Sequence, residues 1–493
     1  MNTKRIKPSF IVRAAVLLLM VLTTVGAWGQ TTVITEDDLL SAITDSATIK
    51  LGSDIQLNRY LDIESKTVTI DLNGHRLYRV LASSASDGHI FWVHEKGRLT
   101  IVDSSDAHSG TIEGGKANNG GGINVWDGCS LTVNGVTFKN NRAGDNGGAI
   151  FVQNGAVVTV SNATFIGNSA RDHGGAVWNN GTFTATNCTF TDNTANDVGG
   201  VYNSVTAEGA GKSTFTGCFF TGNVGTNGAG ALANAVGVTV MTLDSCTVTG
   251  NIAGTNGGGI WNGGTLNMKG VVTVTGNTIV SGLAHNVFLK QGKVITVTGN
   301  LAGSSIGILR EDQEGDITSG YSTSGGDPAT VFLADNPVLE VTLSDGNEAR
   351  LTKKTDGDVY YIERSWDSNN NTVTAQFKTL PRDSYITLNG DDDESIDLGP
   401  GYYVVKGDVQ YDHIVMVGDG KHHLILCDGA QLKVNYINVA GRNTLYIYGQ
   451  MDDTGLLYIY PFEDDEQVGI GSGEEQACGG IYIHVGNFRI WGG

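Results

Sequence analysis

The chain has 493 residues, among them 70 glycines and 6 prolines, and carries 31 basic against 51 acidic side chains. A net charge of −20 repels phosphate backbones and anionic membranes, which excludes nucleic acid as a partner. So much glycine beside regularly spaced apolar residues predicts turn-dense β structure and not disorder.

Residues 1–29 read as an export signal. Lys4, Arg5 and Lys7 form a basic start, an apolar run follows over residues 14–25, and Ala27-Trp28-Gly29 offers a cleavage site. The run is short for a membrane span, and no later stretch approaches twenty apolar residues. The first cysteine after it is Cys129, too distant for a lipid anchor. The chain is therefore expected to be exported, either secreted or held at the cell surface or outer membrane. Residues 35–43 predict a short amphipathic helix with Thr35 as its N-cap and acids in its first turn. Such a helix would cover the open first edge of a β structure. Residues 68–75 and 99–103 are strand-then-turn phrases.

From Asn119 to Asn277 one phrase recurs six times. Its first half is a glycine-rich corner with an apolar residue, as in Gly120-Gly121-Gly122-Ile123, Gly147-Gly148-Ala149-Ile150, Gly174-Gly175-Ala176-Val177 and Gly257-Gly258-Gly259-Ile260. Its second half is an apolar residue three before an asparagine: Phe138/Asn141, Phe165/Asn168, Phe190/Asn193, Phe220/Asn223, Val248/Asn251 and Val274/Asn277. The asparagines are spaced 27, 25, 30, 28 and 26 residues apart. A fixed period in this range marks a solenoid whose units bury their apolar faces only against neighbours. Three short alternating strands per period leave no room for helices. The expected fold is all-β, a right-handed parallel β-helix over residues 30–307 with a helical N-terminal cap. In it the Phe column stacks inside and the Asn column stacks at a turn. The glycines supply tight corners of positive φ. Cys188, Cys218 and Cys246 fall where other coils carry Val136 and Ala163, so they are read as buried thiols used as small hydrophobes and not as disulfides.

Residues 308–384 are more acidic and less regular, with a polar, linker-like stretch at 364–371. A second β-rich domain, read as β-helical, occupies residues 385–493. Its pattern runs to Gly493 without a cap, which predicts a missing C-terminal module. Asp391-Asp392-Asp393-Glu394 reads as a solvated run.

The paired signatures, Gly147 to Ile150 with Phe165 to Asn168 and Gly174 to Val177 with Phe190 to Asn193, resemble the repeats of the chlamydial-type polymorphic outer membrane proteins. The resemblance spans residues 118–300. It implies a surface-exposed β-helix, often adhesive, carried by a C-terminal outer-membrane barrel; no run of alternating ten-residue strands closes this chain. The C-terminal block, from Leu424-Ile425-Leu426-Cys427-Asp428-Gly429 onward, is similar to repeats in surface proteins of gut Bacteroidetes-like bacteria.

Two columns carry candidate chemistry. Asp145, Asp172 and Asp197 sit two residues before successive corners and continue as Asn227 and Thr255. Three carboxylates one coil apart repel unless a cation sits between them, and calcium favours such ligands. The alternative is three solvated turn aspartates. Directly after the inward apolar residue come Phe151, Trp178 and Trp261, with Ala233 breaking the column; Tyr202 joins if Val201 takes the inward place. Alternation puts these rings outside, where they stack on sugars or contact a protein. Trp178 is central in that column. The histidines show no His-x-x-x-His spacing, so no transition-metal site is expected, and the glycine-rich corners lack a phosphate-loop context. The reading is an adhesin-like surface module whose partner is an extracellular glycan or a host or neighbour-cell surface protein. A polysaccharide lyase or glycoside hydrolase and a structural stalk are the alternatives.

Overall fold

A computed structural model describes residues 29–484 except 208, 324–325, 369–371, 391–394, 451–453, 460–468 and 473–478. Residues 1–28 of the expected export signal (1–29) and the acidic run 391–394 lie outside the described residues.

The apolar alternation folds as expected into coils of a right-handed parallel β-helix. One coil consists of Ile150–Val152, Val157–Ser161, Thr164–Ile166 and Ser169–Ala170 before the chain returns to Val177–Asn179 one level on. Each strand pairs in parallel with its equivalent in the next coil: Ile150 faces Val177, Val158 faces Phe183 and Phe165 faces Phe190. A coil therefore holds four strands where the sequence suggested three. The fourth is only two residues long, too short for alternation to show, and its column of Ala143, Ala170 and Ala195 lets neighbouring coils close tightly.

Inside, Phe138, Phe165, Phe190 and Phe220 are fully buried and stack 4.8, 4.6 and 4.7 Å apart with rings within 6° of parallel. The Asn column stacks as well. Each backbone N–H and Nδ2 donates to Oδ1 of the asparagine one coil on, from Asn141 through Asn168, Asn193, Asn223 and Asn251 to Asn277. These asparagines lie in the interior, fully buried. The left-handed residue is instead the one before each, at Asn140, Gly167, Asp192, Gly222, Gly250 and Gly276. That residue turns the chain so that the amide can point inward. A second buried column, Asn179, Asn203, Asn234 and Asn262, is linked Nδ2 to Oδ1 at 2.9 Å throughout. At the corners Gly147 has φ +66°, and a Cβ there would lie 2.4 Å from the Ile150 carbonyl oxygen.

The N-terminal helix is Glu36–Ala42, with the Thr35 hydroxyl accepting from the Asp38 amide at 3.1 Å and Leu39 buried against the first coil. At the other end, Ser305–Arg310 pairs with two preceding strands at once, Thr273–Thr275 and Val287–Leu289, and then with Phe332–Ala334. Parallel stacking thus continues past Gly307, because Ile306, Ile308 and Phe332 carry the buried column across the polar segment that hid it in the sequence. An antiparallel sheet of Gly315–Asp316, Leu339–Leu343 and Ala349–Lys353 covers this end, burying Leu339, Ala349 and Leu351 on the same core.

Of the linker-like stretch 364–371, residues 364–367 fall in the strand Val359–Asp367, which pairs antiparallel with Thr372–Leu380; residues 369–371 lie outside the described residues. This hairpin packs on both solenoids: the Ala375 amide donates to the Ser281 carbonyl at 2.6 Å, and Val359, Tyr361 and Leu380 cluster with Val404, Ile425 and Tyr448. The second β-rich block is parallel too. One sheet runs Ile386–Leu388, Gly401–Val405, Lys421–Leu426, Thr444–Gly449 and Gly480–His484; the other runs Ile396–Leu398, Asp408–Met416, Gln431–Asn438 and Leu456–Ile459. The two enclose a core of their own.

Cys188, Cys218 and Cys246 are free thiols with no exposed surface, stacked in line with Val136, Ala163 and Val272. Contact with the Cys218 thiol, together with burial, pushes the Cys188 and Cys246 thiols well above their ordinary range. These three cysteines should stay unlabelled by iodoacetamide in the native protein and react fully after unfolding, as peptide mass spectrometry will read.

Candidate functional site

One outward column runs the length of the first solenoid. Phe91, Ile123, Ile150, Val177, Val201, Leu232, Ile260 and Val287 are buried inward, so the residue after each faces out. In register these are Trp92, Asn124, Phe151, Trp178, Tyr202, Ala233, Trp261 and Phe288. Tyr202 does belong to the column, since Val201 takes the inward place. Trp92 and Phe288 were missed, the first because it precedes the glycine repeats, the second because it follows an irregular corner.

The rings do not form one uniform exposed strip. Phe151 and Trp178 stack face to face at 4.3 Å and 7°, each half-buried by the other. Tyr202 stacks on His173 at 4.7 Å, and burial together with the nearby Asp197 carboxylate holds its phenol above the ordinary value. Trp261 lies two coils beyond Tyr202, roughly 10 Å along the axis. Ala233 fills the level between them and is too small to close the space. What read as a break is a cavity of about 440 Å³ with Tyr202 and Trp261 as walls and Val198, Ala229 and Ala233 as floor.

Two loops complete it. The coils of 30 and 28 residues carry their extra residues immediately after Tyr202 and after Ala233. The first loop is closed by the Gly211 amide on the Ser204 carbonyl, the second by the Thr239 hydroxyl on the Ala235 carbonyl. Their Val205 and Val236, both exposed, line one side of the cavity. Asp197, Asn227 and Thr255 line it too, so the acidic column and the aromatic column meet at one site.

Upstream, the acidic column is already paired. Arg171 Nη2 lies 2.6 Å from Asp145 Oδ1 and its Nε 3.0 Å from Asp172 Oδ1, while His173 Nε2 is 3.2 Å from Asp197 Oδ2. The Arg171 guanidinium holds the Asp172 carboxyl below its usual range. Arg171 thus pairs with both Asp145 and Asp172, the first two of the three aspartates read either as a calcium site or as solvated turn residues. Among the described residues, the carboxylates of Asp145, Asp172 and Asp197 do not gather within 4.8 Å of one another. Arg171 is 68 % exposed, so this pairing stabilises little.

No helix among the described residues is long and apolar enough to cross a membrane. No curated protein and no solved structure matches the chain. Residues 88–253 match the family model of the right-handed β-helix region, the stretch that holds Trp92, Phe151, Trp178, Tyr202 and Ala233. That match and the stacked ladders give the same identification: this part of the chain is a right-handed β-helix.

Proposed function

We propose that this is an exported, adhesin-like β-helix protein that binds a neutral extracellular glycan in the Tyr202–Trp261 cleft, akin in display to the polymorphic outer membrane proteins its repeats resemble. The observation that carries the reading is the cleft itself. Two aromatic walls two coils apart admit a pyranose ring, whose axial C–H face packs on the rings. Asn227, Thr255 and Asp197 supply donors and acceptors for its hydroxyls. The acidic rim and the net charge of −20 disfavour uronates and sulfated chains. Because the coils are rigidly tied, little ordering is lost on binding.

Trp261→Ala is expected to fold normally and weaken glycan binding tenfold or more, a loss of about 1.4 kcal/mol or greater. Trp178→Ala, in the neighbouring stack, is expected to weaken it less. A glycan array followed by titration calorimetry on both variants tests this. Binding unchanged in Trp261→Ala, or binding of surface protein alone, overturns it.

An enzymatic reading is favoured by one observation: Asp145, Arg171, Asp172, His173 and Asp197 form a row of charge pairs along one edge, ending at the Asp197 that lines the cleft. Cleavage of a polysaccharide panel that is abolished by Asp172→Asn would make the protein a lyase or hydrolase.

A further inference from the structure

We propose that Asp62, Glu64 and His94 form a site for a divalent transition ion of the zinc class, at the N-terminal head of the aromatic column. Leu61–Glu64 and Phe91–His94 are parallel strands of adjacent coils, with Glu64 opposite His94 and Asp62 opposite Trp92. Leu61 and Ile63 are buried, so both carboxylates project outward from the same face. One ligand atom from each of the three side chains lies within 4.8 Å of the others, and His94 Nε2 is 2.7 Å from Asp62 Oδ1. A hydrogen bond from His94 accounts for Asp62 but leaves Glu64 as a second anion beside the same imidazole. A dication relieves that repulsion.

The donor set selects the ion. One imidazole and two carboxylates suit zinc or manganese, whereas calcium and magnesium prefer oxygen alone. Three protein ligands leave a position open for water or a ligand hydroxyl. The surroundings hold the ligands in place: Trp92 stacks on the His94 ring at 4.1 Å, and Trp126 meets Trp92 edge-on at 5.3 Å. The His94 side chain is only 11 % exposed. A second imidazole, His89, packs beside Trp92 with ring centroids 6.0 Å apart, outside the three-ligand group. His89 is 3 % exposed, packs on Tyr60 at 4.9 Å, and neither of its ring nitrogens has a hydrogen-bond partner. Burial pushes it down to about 4, so this ring stays neutral.

Equilibrium dialysis of the full chain against zinc chloride is expected to give one tight equivalent that excess calcium does not displace. His94→Ala and the exposed Glu64→Gln should each weaken binding at least tenfold, with unchanged circular dichroism in Glu64→Gln as the check on folding. Cobalt should quench tryptophan fluorescence in the native protein and do so less in Trp92→Phe. The absence of a stoichiometric site, displacement by calcium, or equal affinity in Glu64→Gln overturns the proposal.

Discussion

Asn193→Ala will destabilise the first solenoid more than any surface change on it. Asn193 Oδ1 accepts from the Asn168 amide and from Asn168 Nδ2 at 3.0 Å. Its own amide and Nδ2 reach Asn223 Oδ1 at 3.2 and 2.9 Å, and Nδ2 also reaches the Phe165 carbonyl at 3.0 Å. Alanine strands the Asn168 donors and the Phe165 acceptor in a dry interior and leaves a void where the amide was. At roughly 1–3 kcal/mol for each unsatisfied buried group, the loss is on the order of 4 kcal/mol. Each coil is supported only by its neighbours, so the damage should be local at first. Hydrogen exchange is expected to show lost protection in the coils around Asn168 and Asn223 before the solenoid ends, and urea unfolding a lower midpoint. Thr194→Ala, one residue along and exposed, should cost within about 0.5 kcal/mol. Equal effects of the two substitutions would mean that the ladder contributes nothing.

The last rung of that ladder makes stability depend on pH. Asn277 donates to Asn286, and Asn286 in turn donates from its amide and Nδ2 to the two oxygens of Asp335 at 2.6 and 2.7 Å. Gly307 makes the approach possible, since a Cβ there would lie 2.4 Å from Asp335 Oδ1. Burial pushes the Asp335 carboxyl up to about 6, and the Asn286 bonds offset that only in part. With an unfolded value near 3.9, the folded protein holds the extra proton between about pH 4 and 6. Stability from this group is therefore complete below about pH 4, falls as pH rises through 6, and is lost above it. The difference is about 3 kcal/mol for a shift of roughly two units. Urea denaturation at pH 4.5 and 7.5 should show this slope in the native protein and a flatter one in Asp335→Asn. An unchanged slope would place the proton elsewhere.

The parallel fold was legible because its two strongest signals, Phe138 to Val248 and Asn141 to Asn277, recur at one-coil spacing and are the columns that hold the interior. The second asparagine column escaped notice. Asn179, Asn203 and Asn262 follow outward aromatic residues and Asn234 follows Ala233, and a polar residue beside an exposed ring reads as solvent-facing until the turn geometry shows otherwise. Of the candidate site, the residues were visible but not their arrangement. Ala233 looked like a break in an aromatic column, and only the register shows that the small side chain between two rings opens a cavity there. The aspartates were open to a calcium reading beside the solvated one because they recur at one-coil spacing; that Arg171 reaches both Asp145 and Asp172 was not legible, since a residue adjacent to Asp172 is not expected to reach across a coil. Asp62, Glu64 and His94 carried no motif at all, as their ligand spacing is a property of stacked coils and not of consecutive residues.

The two loops that wall the cleft have a consequence for how such a protein can change. The chain leaves the solenoid after Asn203 and after Asn234 and re-enters it at Lys212 and Val240, and the strand pairing is the same as in coils without these insertions: Asn203 still meets Asn234, and Asn234 meets Asn262. Length and composition at these two places are therefore uncoupled from the stack that holds the molecule together. The proposed recognition can be rewritten there by insertion, deletion or exchange of a few residues while the register of the scaffold is unchanged. Transplanting the pair of loops between β-helices of this type should carry specificity with them, provided that an alanine keeps the level between the two rings.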